Sequence, residues 1–192
     1  NSLTLRPSAQ HLHPSPTVAT RLYNQSNRLR MPVMFHQDII ASPSCKMEFA
    51  RPALLDEAAR EFPELRIVIS EMGYPWTAET VVLLAKHRNV YADISGLLNH
   101  PWQAYNALLA AYQAGVMDAL LFGSNFPYNS AAGCIEALYS INQFCHGTNL
   151  PTIPREQLRQ IGERDALTLV GIEFEKPNSK REANTTVIQT ED

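Results

Sequence analysis

Three polar side chains stand at or just beyond the ends of short apolar runs. His36 closes one run, Glu71 follows residues 66–70, and Asn125 follows residues 119–122. An imidazole or a carboxylate binds metals and transfers protons, whereas an amide only forms hydrogen bonds. The set suits a polar pocket for a small molecule. The structural alternative is that each side chain is a hydrogen-bonded group at a strand end.

Three further residues each have two interpretations that the sequence leaves open. Asp93 lies inside the run 90–94 and is expected to cap or salt-bridge the end of a strand. Trp76 either packs its own loop or forms an aromatic wall of the pocket. Arg51 is either a surface charge or a clamp for a substrate carboxylate.

Short apolar runs alternate along the chain with stretches that carry one apolar helical face. Buried parallel strands have the first pattern and crossover helices have the second. Strands are predicted at residues 3–5, 32–36, 66–70, 90–94 and 119–122. Helices are predicted at residues 17–29, 52–62, 77–86, 101–114, 131–144 and 155–170. This alternation indicates an α/β fold with a parallel sheet.

The size of the strand–helix units leaves two architectures open. Five units take about 34 residues each, so eight would need about 270, close to the roughly 250 of a (β/α)8 barrel. Five parallel strands could also form an open, doubly wound sheet. Residues 1–172 are predicted to be one barrel-like domain, and residues 173–192, which are polar and without periodicity, a mobile tail.

Several segments, in order and at matching spacing, resemble motifs of the amidohydrolase-related family, also called amidohydrolase 2. Its members are metal-dependent hydrolases and decarboxylases built on a TIM barrel. Residues 5–14 are similar to the family's fourth strand and the loop that follows it. Residues 31–36, 62–76, 89–96 and 121–127 are similar to the motifs "LPVxxH", "FPxLKIVLAHxGxPW", "NVYxDxSG" and "ILFGTDxP" of strands five to eight. The resemblance implies the C-terminal five strand–helix units of such a barrel.

The resemblance assigns site roles and also marks departures from the family pattern. His36 keeps the identity of a family metal ligand, so a divalent metal, Zn or Mn, is implied. Glu71 stands where the family has a strand-six histidine, and Asn125 stands where it has a strand-eight aspartate. These two are the candidate catalytic residues. The histidine pair of strand one would precede residue 1, and His36 alone cannot hold a metal that needs about three protein ligands.

The same resemblance suggests where substrate is contacted. His11 and His13 have H-x-H spacing, but their loop follows the family's fourth strand, so contact with substrate or solvent is expected rather than metal binding. Arg51 and Trp76 are the other candidate substrate-binding residues.

Two functions of different classes follow from these residues. The first is a metal-dependent hydrolase of a small carboxylate, lactone or amide with an altered, impaired site; nonoxidative decarboxylation is a variant of it. The second is a non-catalytic barrel relative that serves as a binding or oligomer-forming module, because Asn125 has lost the charge and basicity of aspartate.

The composition and net charge of the chain exclude some classes of binding partner and indicate a compartment. The chain has 16 Lys and Arg against 19 Asp and Glu, and its net charge of −3 gives no footprint for nucleic acid. It contains no membrane-spanning run and no signal peptide, and its three cysteines form no CxxC pair, so a cytoplasmic protein is expected. Exposed edges of a five-stranded sheet would be covered by homo-oligomerisation.

Overall fold

Five short strands pair in parallel and in the order in which they occur along the chain. The computed structural model describes residues 2–37 and 42–172. The strands are β1 (Leu3–Leu5), β2 (Val33–Phe35), β3 (Ile67–Ile69), β4 (Val90–Asp93) and β5 (Leu120–Leu121). Their order in the sheet is β1-β2-β3-β4-β5. A doubly wound sheet reverses its order at a switch point, so that alternative is wrong and the winding is that of a barrel wall.

Helices follow the strands, and all of them except the last, α8, lie towards one face of the sheet. They are α1 (Pro7–Gln10), α2 (Pro16–Arg28), α3 (Asp56–Glu61), α4 (Thr77–Lys86), α5 (Pro101–Gln113), α6 (Ala131–Tyr139), α7 (Arg155–Glu163) and α8 (Ala166–Leu169). Three of them begin with proline, whose fixed φ and missing N–H suit a first helical turn. Within the described residues no helix is long and apolar enough to span a membrane.

The predicted helix over residues 155–170 is interrupted, which corrects the sequence interpretation. The Arg164 guanidinium turns inward and donates to the backbone carbonyls of Met117 and Leu120. Asp165 then caps α8 by accepting the N–H of Thr168 at 3.1 Å. The apolar pattern continues through the break, but the long-range hydrogen bonds of Arg164 end α7 at Glu163.

Two other helices are shorter than the sequence predicts, and one was missed. Residues 52–62 open as a 3₁₀ turn, Pro52–Leu55, before α3 begins. Residues 131–144 form α6 and then a second 3₁₀ turn, Ile141–Cys145. The Pro-rich loop after β1 contains the single turn α1. The predicted tail, residues 173–192, lies outside the described residues.

The main hydrophobic core lies between the sheet and these helices. Phe35, Ile67 and Ile69 are fully buried on this face, and each such side chain contributes about 1.5–3 kcal/mol on burial. Tyr23 of α2 packs edge-on against Phe35, and its hydroxyl donates to the carbonyl of Pro14 at 2.6 Å. Burial raises the pKa of the Tyr23 phenol, so the ring stays neutral.

The opposite face of the sheet packs on the last described segment of the chain. Val68 and Leu121 form a second buried cluster with Val170, which follows α8. At the amino end of β3, the Arg66 guanidinium lies directly against the backbone of Gly171, where φ is +72°. The segment after α8 therefore closes this face at the amino ends of the strands.

The Gly171→Ala variant is expected to lower the free energy of unfolding by about 1–2 kcal/mol, because alanine is strained at positive φ. The new methyl group would also push aside the Arg66 guanidinium, although the end of that side chain can move. Urea denaturation of the single variants and of Arg66→Ala/Gly171→Ala separates the two effects. If the backbone dominates, the cost of Gly171→Ala persists in the Arg66→Ala background; full recovery there would contradict this.

The ion pairs of Asp56 predict a pH dependence of stability. The Oδ1 atom of Asp56 lies 2.7 Å from Nε2 of His87 and 2.5 Å from Nζ of Lys86. The hydrogen bond with His87 has the largest effect and that with Lys86 the next largest, and both lower the pKa of the Asp56 carboxyl below its ordinary 3.8. A lowered folded-state pKa stabilises the protein above the unfolded pKa, and this contribution is lost as pH falls through the folded value.

The Asp56→Asn variant should therefore be less stable than the parent near neutral pH, by less than about 1 kcal/mol because the pair is partly exposed. The difference should shrink as pH falls below about 4. Thermal unfolding from neutral to acidic pH measures it, with Glu57→Gln on the same helix as the charge-matched control. A difference that is independent of pH would show that Asp56 acts by packing alone.

Candidate active site

A row of polar side chains crosses three neighbouring strands at their carboxyl ends. β2, β3 and β4 are in register through their last shared residues, so the next position on each strand lies at one level. Those positions are His36, Ser70 and Asp93. Adjacent strands are about 4.8 Å apart, and the three residues alternate onto the face that points away from the helices.

This row forms the polar end of a cavity of about 420 Å³. The polar lining at the carboxyl ends comprises His36, Ser70, Asp93, Ser95 and Asn125, and Ser2 lines the cavity before β1. The apolar lining includes Val68, Leu121, Phe122, Leu167 and Val170. The cavity is thus polar at the carboxyl ends of the strands and apolar towards their amino ends, as in a ligand site that orients a small molecule with few polar groups.

Asp93 holds together the loops at the carboxyl ends. Its Oδ1 accepts the backbone N–H of Glu71 at 3.1 Å, the backbone N–H of Ser95 at 3.1 Å and the Ser95 hydroxyl at 2.6 Å. The prediction that Asp93 caps a strand end is confirmed. Because these bonds all end on Oδ1, the carboxylate is anchored by one oxygen while the residue lines the cavity.

Glu71 and Asn125, predicted from separate motifs, meet at the mouth of the cavity. The Asn125 amide donates from Nδ2 to Oε1 of Glu71 at 3.4 Å. Both residues have left-handed backbone conformations, with φ of 53° and 56°. The Glu71 carboxyl group lies against the backbone of Gly96, in the space that a side chain at Gly96 would occupy. Asn125 lines the cavity and Glu71 stands behind it.

The three predicted substrate-binding residues make other contacts and do not line this cavity. The ring Nε2 of His11 lies 2.7 Å from the carbonyl of Ser44. Arg51 forms an ion pair with Glu79, and its side chain is 55% exposed. Trp76 is half-buried immediately before α4. A role of His11, Arg51 or Trp76 in substrate binding stays a prediction.

Ser70 and Ser95 line the cavity but were not identified from the sequence. Ser70 ends the apolar run of β3, and residues two apart on a strand face the same side. Val68 and Ser70 therefore share a face, as Met34 and His36 do on β2. Strand alternation was the signal that could have found Ser70, whereas Ser95 depends on a loop that the sequence pattern does not place.

The donor set does not fit a metal ion on its own. Among the described residues, no group of three or more histidine, cysteine, aspartate or glutamate side chains is placed to hold one. His36 stays a predicted ligand, and Asn125 supplies an amide where a carboxylate would bind a metal more strongly. Any metal at this cavity would need ligands from outside the described residues.

Comparison with known proteins gives one family and a consistent fold. Residues 3–172 match the family described as amidohydrolase. No curated protein matches the chain. A TIM-barrel protein from Bordetella bronchiseptica is similar with a TM-score of 0.62 and 21% identity, over 88% of this chain and 58% of that one.

Two further solved structures have the same fold. A metal-dependent hydrolase, described as putative, from Lactobacillus casei has a TM-score of 0.60 and 23% identity, over 79% of this chain and 42% of that one. A probable 2-pyrone-4,6-dicarboxylic acid hydrolase from Acinetobacter baumannii has a TM-score of 0.56 and 17% identity, over 88% and 64%.

The chain spans 42–64% of the length of these three structures. Its five consecutive parallel units are therefore part of a barrel rather than the whole of one. The family match covers nearly all of the described residues and includes the strand ends that form the cavity. The chain belongs to the amidohydrolase family and carries five strand–helix units of its TIM barrel.

Proposed function

We propose that this chain carries the substrate cavity of a hydrolase of the amidohydrolase family that acts on a small organic molecule. The observation that supports the proposal is the contact between Glu71 and Asn125 at the mouth of a cavity lined by His36 and Asp93. The cavity wall carries the His36 imidazole and the Asn125 amide, and the Glu71 carboxylate lies directly behind that amide. Two similar structures are described as hydrolases, one of them metal-dependent.

In this proposal Glu71 transfers the proton. Its carboxylate takes a proton from an attacking water and returns it to the leaving group, as a general base and then a general acid. Asn125 orients that carboxylate by donating from Nδ2, and an amide cannot itself serve as the base. His36 lines the same wall and is the candidate ligand if Zn or Mn is bound with ligands from elsewhere.

Decarboxylation is the variant within the same family, since another similar structure, of 12% identity, is described as a 5-carboxyvanillate decarboxylase.

A non-catalytic binding module is the second candidate. It is favoured by the amide at Asn125 and by the lack of a three-ligand group among the described residues. Turnover of any substrate that Glu71→Gln abolishes would exclude the second candidate.

We also propose a homo-oligomer in the cytoplasm. The outer edges of β1 and β5 have no strand partner among the described residues, and proteins usually cover such edges. Cys134 and Cys145 are buried free thiols, which suits a reducing compartment. Light scattering of the purified chain tests the assembly, and a monodisperse monomer would contradict it.

The first experiment is elemental mass spectrometry of the protein at full native length, purified without added metal. It is followed by a hydrolysis screen of lactones, amides and esters, with aromatic carboxylates included to detect decarboxylation. The proposal expects hydrolysis that falls by about 10²–10⁴-fold in Glu71→Gln, the range for a lost general acid–base group. No turnover by the native protein, with or without Zn or Mn, would overturn it.

The Asn125→Asp variant should bind Zn or Mn at least about tenfold more tightly than the parent, because a carboxylate replaces an amide beside Glu71. Calorimetric titration with each metal measures the change. Asn149→Asp introduces the same charge at an exposed position and is the control. Equal metal affinity of Asn125→Asp and the parent would mean that Glu71 and Asn125 do not border a metal position.

A further inference from the structure

The charge of the cavity wall is of one sign. Asp93 contributes a carboxylate to the lining, and Glu71 places a second one behind Asn125. No lysine or arginine is among the described lining residues. Arg51, which the sequence offered as a clamp for a substrate carboxylate, is paired with Glu79 instead. The described wall therefore attracts cations and repels anions.

Two residues of this wall are mostly buried but contribute to the lining of the cavity. Ser70 is 3% exposed, and its hydroxyl forms no hydrogen bond within the part of the chain that the structure describes. Asp93 is 8% exposed; its hydrogen bonds end on Oδ1, which leaves Oδ2 for the cavity. Ser70 and Asp93 lie at one level of adjacent strands. A ligand that fills the cavity would remove this hydroxyl and this carboxylate oxygen from water, so it has to supply hydrogen bonds to both.

We propose that the cavity binds a small organic cation, a primary ammonium group on an apolar body. The ammonium group lies between Oδ2 of Asp93 and Oγ of Ser70, and the hydrocarbon lies against Val68, Leu121 and Phe122. This inference rests on the proposed function, since it names the substrate class of the same cavity. A cationic substrate would differ in charge from the dicarboxylic acid named for the similar hydrolase from Acinetobacter baumannii.

The chemistry of the ammonium group fits the atoms on the wall. It has three donors and one positive charge, so it satisfies a carboxylate oxygen and a hydroxyl at once and has a donor left for the Asn125 carbonyl oxygen. A hydrogen bond between charged partners in a partly buried site is about twice as strong as a neutral one. A carboxylate ligand would face the Asp93 carboxylate, with no lysine or arginine among the described lining residues, which is unfavourable.

The test uses three probes that share one ring: benzylamine, benzyl alcohol and benzoate. Calorimetry on the full-length protein at about pH 8 and low salt keeps the amine protonated. Benzylamine should bind at least about tenfold more tightly than benzyl alcohol, with benzoate weakest. Asp93→Asn keeps an oxygen for the capping bonds and replaces Oδ2 by an NH₂ group. It should weaken benzylamine about 10- to 100-fold and leave benzyl alcohol unchanged.

Ser70→Ala should weaken benzylamine about threefold to tenfold, as expected for one lost hydrogen bond. Asp118→Asn, an exposed carboxylate at the amino end of β5, is the matched control and should leave all three affinities unchanged. If Asp93→Asn does not fold by circular dichroism, the three-probe series on the native protein and Ser70→Ala carry the test.

Four results would overturn the inference: benzoate binding most tightly, equal affinities for the three probes, no detectable binding of benzylamine, or insensitivity of benzylamine binding to both variants. The hydrolysis screen distinguishes this failure from failure of the proposed function. If benzoate binds most tightly and hydrolysis is observed, the cation inference fails and the proposed hydrolase stands, with anionic substrates. Benzylamine binding without any turnover supports the cation site and overturns the hydrolase.

Discussion

The Gly73→Ala variant should lose about 2–5 kcal/mol of unfolding free energy, which would leave a marginally stable domain largely unfolded. Gly73 has φ of +65°, where alanine costs about 1–2 kcal/mol. An added Cβ would overlap the ring of Pro52 and lie 2.8 Å from Oγ1 of Thr80. Because these atoms belong to a fixed ring and a buried side chain, relieving the overlap costs about 1–3 kcal/mol more.

Gly115→Ala is the matched control for this prediction. Gly115 also has positive φ, +71°, but an added Cβ there would meet nothing within 4 Å. Urea denaturation of both variants therefore separates backbone strain from overpacking: Gly115→Ala should lose about 1–2 kcal/mol, and the excess in Gly73→Ala is the cost of the overlap. Equal losses would mean that Pro52 and Thr80 move aside freely.

The parallel sheet could be predicted because its strands are apolar runs with no competing pattern. Residues 3–5 and 77–86 have the predicted boundaries, since proline and polar residues flank them. The helix over residues 155–170 could not be predicted, because its break depends on the carbonyls of Met117 and Leu120. A local pattern carries no information about hydrogen bonds to a distant strand.

The positions of site residues could be predicted where the family resemblance places them at strand ends. They could not be predicted where the contacts depend on the conformation of loops. The motifs predicted that Glu71 and Asn125 face one pocket, and the two side chains are in contact. The partner of Arg51 was not foreseeable, because Glu79 reaches it only once α4 packs beside the 3₁₀ turn at Pro52. Ser70 was overlooked because a serine that ends a strand is an ordinary feature of sequences.

Replacing Gly96 by alanine should disable the site although both of its polar residues, Glu71 and Asn125, are retained. The Glu71 carboxyl group occupies the space where the Cβ of residue 96 would lie. The methyl group would force that carboxylate away from the Asn125 amide, which now holds it at 3.4 Å. A displacement of about 1 Å at a reacting group can cost about 10²-fold in rate. Under the proposed function, kcat/KM should therefore fall about 10²-fold.

A thermodynamic cycle identifies the route of the effect. If Gly96 acts through the position of Glu71, Gly96→Ala should add little in a Glu71→Gln background, since neighbours that act together are not additive. Gly162→Ala within α7, where an added Cβ meets only the Tyr139 hydroxyl at 3.4 Å, is the control and should retain activity. The contrary outcome is that the rate loss in the double variant equals the product of the two single losses. In that case Gly96 does not act through the Glu71 carboxylate, and the close packing of the two residues stabilises the fold of the loop.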